Sequence, residues 1–138
     1  MRLTLEKILT LKNIPLFAGL SEDTLADIID EGIETPAMIG TDIVKEGEQW
    51  NDLYIVLQGQ LRACKNGETI AEYNALSTFG ELAALEAETA GATVSALEDS
   101  ALIKIGGAAL YRLMNEHASL EKNMFQTLCR RLREAERK

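Results

Sequence analysis

The amino-acid sequence predicts a mainly β fold with flanking helices (α+β): an antiparallel β-roll or jelly roll with N-terminal helices and a C-terminal amphipathic helix. Two observations predict this class. Between residues 33 and 105, many short apolar runs alternate with turn residues, as in small antiparallel rolls and barrels. On both sides of that region the apolar residues recur at helical spacing. The order helices, strands, helices packs the helices at one end of the roll, since they do not alternate with parallel strands.

The length of 138 residues fits one domain that can bury a substantial core. We divide this single domain into N-terminal helices (1–32), a β-roll (33–105) and C-terminal helices (106–138). The composition, 46% hydrophobic and 26% charged, is that of an ordinary globular protein. No apolar run approaches the ~20 residues of a membrane helix. The N-terminus also lacks the apolar core of a signal peptide, so we expect a cytoplasmic protein.

Charge and cysteine content exclude several function classes. The formal net charge of −8 argues against general nucleic-acid binding, because phosphate contacts need clustered Lys and Arg. Cys64 and Cys129 match no metal or redox spacing. We interpret them as reduced packing residues, with a disulfide as the minor alternative.

The N-terminal region predicts two helices. Pro15 disfavours helical geometry at Ile14, so the first helix should end near Asn13. Its apolar stripe comprises Leu3, Ile8, Leu9 and Leu11. The second helix should begin after the N-cap Ser21 and stop by Gly32. It presents Leu25, Ile28 and Ile29 to the core.

The central region predicts a series of strands at 33–38, 41–44, 53–57, 61–65, 68–73, 93–97 and 101–105. Residues 53–57 read LYIVL, an apolar run that suits a buried strand. Asn66-Gly67 lies between two alternating runs and is the strongest hairpin signal, since both turn residues need positive φ.

The C-terminal region predicts a short helix opened by Gly106 and Gly107, and a last helix from about Ser119. The short helix holds Leu110, Tyr111, Leu113 and Met114. The apolar stripe of the last helix comprises Leu120, Met124, Phe125, Leu128 and Leu132. This stripe suits either packing on the roll or contacts to a second copy. Six basic and three acidic residues lie from position 121 onward, and we interpret the basic ones as complementing the helix dipole.

The stretch that carries function is FGELAAL at 79–85, followed by GATV at 91–94. It resembles the phosphate-binding cassette of the cyclic nucleotide-binding domain, the β-roll of the cyclic-AMP receptor protein and its relatives. That family reads F-G-E-L-A-L-L and then P-R-A-A-T-V. The ordered set of Glu46-Gly47, residues 53–55 with Gly59, the cassette 79–94 and a closing helix at 131–134 extends the resemblance over nearly the whole chain.

The resemblance implies ligand-binding roles for the cassette. Gly80 would let the backbone approach the ligand, and Glu81 would accept a hydrogen bond from the ribose 2′-hydroxyl. Glu81 also has an explanation without a ligand, because an acid in the first turn of a short helix is favoured by the dipole. The remaining family positions are the helix start Leu82 and Ala83, and the phosphate segment Ala90, Gly91, Ala92 and Thr93.

Ala90 stands where the family has the arginine that grips the phosphate. Leaving a buried charge without its partner costs about 3–5 kcal/mol. This corresponds to roughly two to four decades in affinity. We therefore expect weak or no binding of cyclic AMP, the ligand that the resemblance implies. Arg62 and Lys104 alternate with apolar neighbours and should point away from the interior, unless a bulge reverses the parity.

The sequence thus predicts a non-catalytic regulatory or sensor module that acts by ligand- or partner-linked movement of its C-terminal helix. The expected partner is a protein or the effector domain of a parent protein, with a homodimer through the C-terminal helix as a further possibility. Direct DNA binding is not expected. One alternative is a functional cyclic AMP or cyclic GMP domain with a noncanonical phosphate site. Another is a small cupin-like enzyme. It would need clustered metal ligands, and His117 is the only histidine, so we predict no metal or catalytic residues.

Overall fold

The computed structural model describes residues 4–137. Five α-helices and ten β-strands make up the fold of these residues. The helices are α1 Thr4–Leu11, α2 Glu22–Glu31, α3 Glu81–Leu85, α4 Gly107–Glu116 and α5 Ala118–Glu136, with a 3-10 turn at Pro15–Phe17. The strands are β1 Ile33–Ala37, β2 Asp42–Val44, β3 Gln49–Trp50, β4 Asp52–Gln58, β5 Gln60–Lys65, β6 Glu68–Asn74, β7 Thr78–Phe79, β8 Glu88–Thr89, β9 Thr93–Ala96 and β10 Ser100–Gly106.

All strand pairs are antiparallel, and they form two four-stranded sheets and one short ribbon. The first sheet has the order β1-β10-β4-β7, the second β2-β9-β5-β6, and β3 pairs with β8. The predicted antiparallel roll with helices at either end of the chain is confirmed. The predicted β5–β6 hairpin turns at Asn66 and Gly67, with φ of 53° and 79°.

Two apolar clusters lie on opposite faces of the first sheet, and β4 contributes to both. Alternate β4 residues point to the helices or into the roll. The helix-side cluster contains Leu53, Ile55 and Leu57 of β4 with side chains from α1, α2, α4 and α5. The roll cluster contains Tyr54 and Val56, Leu102 of β10, and buried residues of the second sheet and the cassette, including Leu61, Phe79, Ala90 and Val94.

The N-terminal helices largely follow the prediction. The Ser21 hydroxyl accepts a hydrogen bond from the Thr24 N–H at 3.1 Å, and α2 ends before Gly32. The predicted core residues of α2 are buried. In α1, Ile8 and Leu11 are buried, but Leu9 is exposed, so its assignment to the buried stripe is wrong. Leu3, also assigned to that stripe, lies outside the described residues.

The stripe of α5 divides into a buried part and an exposed part. Leu120 and Met124 are buried and Leu128 packs against the helix-side cluster. Phe125 is 70% exposed and Leu132 63% exposed, so packing on the chain itself accounts for only the first part of the predicted stripe. The reason is angular: Phe125 lies about 100° around the helix from the buried Met124. In α4, Tyr111 is also exposed, while Leu110, Leu113 and Met114 are buried.

Three two-residue strands, β3, β7 and β8, were not predicted, because two residues carry no readable period. Both cysteines are free and half-buried, so the disulfide alternative is not formed. Within residues 4–137, none of the helices is both long enough and apolar enough to cross a membrane.

Candidate functional site

The first half of the cassette turns sharply at Gly80, which precedes α3. Its φ is 88°, in the left-handed region that favours glycine. A Cβ on this residue would lie 2.4 Å from the Asp52 carbonyl oxygen and 2.8 Å from the Trp50 ring. Gly80 therefore lies close to β3 and β4, and its predicted approach to a ligand stays a prediction.

Glu81 follows in the first turn of α3, and its side chain is only 1% exposed. The Thr78 hydroxyl donates to Glu81 Oε2 at 2.5 Å. Arg131 of α5 donates to both carboxylate oxygens, Nη1 to Oε1 at 2.7 Å and Nη2 to Oε2 at 2.9 Å. Such a bidentate pair is the strong form of a charged hydrogen bond. The C-terminal helix therefore binds the acid of the cassette directly.

This contact corrects our interpretation of Arg131 as a residue that only complements the helix dipole. It also means that the dipole alone does not account for Glu81. The sequence places the two residues 50 positions apart and offers no local signal that pairs them. The available hint was chemical, since a carboxylate in an otherwise apolar stretch needs a partner once it is buried.

The residues of α3 after Glu81 either face solvent or pack inside the fold. Leu82 is exposed, whereas Ala83 is buried beneath the helix. The end of α3 is tied to α4, because the Tyr111 hydroxyl donates to the Leu85 carbonyl at 2.5 Å. The helix is therefore fixed between the roll and the C-terminal helices.

The second half of the cassette is apolar at the position of the family arginine. Ala90 is 2% exposed and belongs to the roll cluster. Its N–H donates to the Glu48 carbonyl and its carbonyl accepts from the Gly47 N–H, both at 2.9 Å. Neither backbone group of Ala90 is thus free for a ligand.

The next three residues contribute little polarity to the roll interior. Gly91 is exposed, and a Cβ there would meet no atom within 4 Å. Ala92 and Thr93 are half-buried, and the Thr93 hydroxyl accepts a hydrogen bond from the Glu46 N–H at 3.0 Å. This segment therefore holds the 46–48 turn in place and brings no positive charge to the site.

Aromatic rings occupy the roll beside the cassette. The Phe79 ring stacks on Tyr73 at 4.5 Å and on Tyr54 at 5.0 Å between centroids, and Trp50 tilts against it at 6.3 Å. Burial raises the pKa of Tyr54 to about 12, and the charge of Asp52 adds to this shift. Burial also raises the pKa of Tyr73, with Glu81 raising it further and Arg131 partly lowering it. Both phenols are therefore neutral at physiological pH.

The two other cations that we considered occupy different positions. Arg62 is exposed, as predicted. Lys104 is half-buried and pairs across the strands with Tyr54, so the two share the roll-facing side of the sheet. The expectation that Lys104 points away from the interior is wrong. Its apolar neighbours Ile103 and Ile105 face the helices, and β10 has a register irregularity at 101–102.

His117 lies between α4 and α5 and contacts α2. Its Nδ1 is 3.1 Å from the Thr24 hydroxyl and its Nε2 is 2.8 Å from Asp27 Oδ2. The residue follows the end of α4 and precedes the start of α5, and its side chain makes no capping hydrogen bond to α5 because both ring nitrogens contact α2.

The structure has two cavities of note, one beside the cassette and one away from it. One of about 170 Å³ adjoins the Glu81–Arg131 pair, lined by Pro15, Leu16, Leu76, Ser77, Thr78, Thr127, Arg130 and Arg131. A larger cavity of about 490 Å³ lies between α1 and the edge of the first sheet, lined by residues such as Lys7, Glu34, Pro36 and Leu57. The larger one does not touch the cassette.

Comparison with known proteins gives a consistent result. The family model described as "Cyclic nucleotide-binding domain" matches residues 38–117. The chain is 26% identical over 119 residues to a Drosophila melanogaster cAMP-dependent protein kinase type II regulatory subunit, covering 86% of this chain. The Thermus thermophilus catabolite activator protein superposes with a TM-score of 0.81 at 27% identity, over 88% of this chain and 60% of that one.

A third similar structure is the regulatory domain of Toxoplasma gondii PKA, solved with cAMP. It gives a TM-score of 0.70 at 27% identity, over 80% of this chain and 44% of that chain. The chain spans 32% of the Drosophila regulatory subunit and 35% of a Xanthomonas perforans effector protein, XpPycTIR. The similarity therefore concerns one part of longer proteins.

Proposed function

Because this chain belongs to the cyclic nucleotide-binding domain family, we propose that it is a non-catalytic regulatory module that binds cyclic AMP weakly or not at all. One observation carries this proposal. The cassette acid Glu81 is already bound by Arg131 of α5, while Ala90, in the phosphate segment, offers no charge.

The charge balance at the site supports weak binding. A cyclic nucleotide would bring a phosphodiester anion against the roll cluster, next to the apolar Ala90. An unpaired buried charge costs about 3–5 kcal/mol, or roughly two to four decades of affinity. The ribose would also compete for Glu81, since three hydrogen bonds occupy most of the roughly four acceptor sites of that carboxylate.

Movement of α5 is the proposed output. Arg131 joins α5 to the cassette, and its own side chain is 48% exposed. A ligand or partner that takes over Glu81 would release the guanidinium to solvent at small cost, whereas a buried Glu81 always requires a partner. The position of α5 therefore depends on what Glu81 binds.

The test is a calorimetric titration of the domain with cyclic AMP and cyclic GMP, beside the Ala90→Arg variant, after circular dichroism has checked that the variant folds. We expect no measurable binding by the native domain and binding by the variant. Micromolar binding by the native domain would contradict the proposal. If neither protein binds, the roll is closed to nucleotides and regulation passes through a protein partner.

A second candidate, a functional cyclic nucleotide domain with a noncanonical phosphate site, is favoured by the position of Lys104. Lys104 pairs in register with Tyr54, so its side chain leaves the strand on the roll-facing side of the sheet. If the native domain binds cyclic AMP, Lys104→Gln should weaken that binding by about tenfold or more, since charged hydrogen bonds contribute about 1.5–3 kcal/mol. Arg62→Gln, an exposed charge on β5, is the matched control.

The proposed partner is a second copy of the chain or the effector domain of a longer parent protein in the cytoplasm. Phe125 and Leu132 of α5 are the apolar side chains exposed toward it. Sedimentation of the native chain and of Phe125→Glu tests the homodimer. We expect a dimer that the substitution dissociates. A native monomer at the concentrations of the titration would leave only the effector-domain partner.

A further inference from the structure

We propose that His117, Asp27 and Glu116 form a binding site for a divalent transition-metal ion of the zinc class. Each offers one ligand atom, and these atoms lie within 4.8 Å of one another. The sequence prediction of no metal site overlooked this cluster, because Asp27 lies 90 residues from His117. The site is independent of the proposed cyclic nucleotide function.

The geometry requires only small side-chain adjustments. Metal–ligand bonds of about 2.0–2.1 Å place tetrahedral ligands about 3.3–3.4 Å apart. His117 Nε2 and Asp27 Oδ2 are now 2.8 Å apart, so they need to separate by about half an ångström. Glu116 is exposed and Asp27 is half-exposed, so both carboxylates can rotate into position without disturbing the core.

The orientation of the imidazole is already set from its other side. His117 Nδ1 lies 3.1 Å from the hydroxyl of the buried Thr24, which is itself 2.9 Å from the Ser21 hydroxyl. When Nδ1–H donates to Thr24, the Nε2 lone pair points at Asp27, where a cation would bridge the two. Metal-binding histidines commonly have such a partner on the second ring nitrogen.

The ligand types select the ion. Imidazole favours zinc, nickel and copper over magnesium and calcium, which prefer all-oxygen sites. Two carboxylates would balance the charge of a divalent ion. Within residues 4–137 the Glu116 carboxylate has no hydrogen-bond or ion-pair partner, so binding an ion breaks no contact there.

The site joins two parts of the chain. Asp27 belongs to α2, Glu116 ends α4, and His117 precedes α5. A bound ion would therefore fix the α4–α5 junction on α2 and with it the direction in which α5 leaves.

The experiment titrates the chelator-treated chain with zinc chloride by calorimetry and follows cobalt chloride by its absorption spectrum. A background with Cys64→Ser and Cys129→Ser removes thiol ligands. We compare Asp27→Asn, Glu116→Gln and His117→Gln with the matched controls Asp30→Asn on α2 and Glu121→Gln on α5. Both control residues are exposed acids outside the cluster.

We expect one ion per chain. Each ligand substitution should weaken binding by about tenfold or more, since loss of even an outer-shell partner costs about 10–100-fold. The controls should change it less than about twofold, and excess magnesium should not compete. The two acid variants keep the test valid if His117→Gln misfolds. Equal weak binding by all variants would mean an adventitious ion only, and it would overturn the proposal, as would the absence of saturable binding.

Discussion

The two halves of the cassette differ in how polar groups are used. In the first half, Gly80 keeps a left-handed turn and Glu81 is buried with three hydrogen bonds. In the second half, Ala90 packs in an apolar cluster and Gly91 is exposed with no near neighbour. The first half therefore needs a left-handed turn and a partner for a buried charge, whereas the second half needs only a small apolar side chain at Ala90.

The difference shows that the two halves can change independently. A buried carboxylate needs a partner whether or not a ligand is present, and Arg131 supplies it from within the chain. The position of Ala90 has no such requirement, because a small apolar side chain is stable in the roll cluster without a partner. The fold can therefore remain stable without the arginine that binds the phosphate in the family.

The largest expected effect concerns the two cassette glycines. Gly80→Ala should destabilise the fold by about 2–5 kcal/mol, from a left-handed backbone and a clash with the Asp52 carbonyl oxygen. Gly91→Ala, where a Cβ meets nothing within 4 Å, should be neutral or stabilising by up to about 1 kcal/mol. Urea denaturation measures both. Similar losses at both positions would remove the contrast between the halves.

A charge in the second half should have the next largest effect. Without ligand, Ala90→Arg should cost about 1–3 kcal/mol, because a long charged side chain replaces a buried methyl group. Gly91→Arg places the same charge one residue later on the surface and should stay within about 0.5 kcal/mol. Denaturation of both variants at low salt is the measurement. If Ala90→Arg leaves the free energy of unfolding unchanged, the roll cluster has space for the arginine side chain.

The smallest effect comes from the aromatic stack between the halves. The folded-state pKa of Tyr54 is raised from 10.0 to about 12 by burial. Above pH 10 the unfolded chain releases this proton first, so the tyrosine contribution to stability is complete below pH 10 and is lost toward pH 12. Tyr54→Phe should flatten the fall in unfolding free energy over that range, relative to its own value at pH 8. An unchanged slope would contradict the assigned burial.

The sequence was sufficient for the architecture because its signals are local. The N-cap Ser21, the Asn66-Gly67 turn and the apolar run of β4 each specify their own neighbourhood. Their order then specified the roll. The two-residue strands β3 and β8, which position Ala90, carry no local signal of this kind.

The candidate site was only half predictable, for the same reason. Gly80 and Glu81 were identified from the cassette pattern, and the structure gives Gly80 a left-handed turn and Glu81 a buried side chain, while their roles toward a ligand stay predictions. The partner Arg131 was not, because a contact across 50 residues depends on where α5 packs. The facing of Lys104 was mispredicted because its neighbours Ile103 and Ile105 belong to the helix-side cluster, and alternation alone does not tell which face of a sheet covers the roll interior.

The measurement that tests the central claim most directly is a double-mutant cycle between the cassette and α5. Unfolding free energies of Glu81→Gln, Arg131→Met and the double variant give the coupling between the two side chains. If Arg131 is the partner that Glu81 requires, the coupling should be at least about 1 kcal/mol, with Arg131→Met the more damaging single change. A coupling below about 0.3–0.5 kcal/mol, the error of simple additivity, would mean that α5 does not hold the cassette acid.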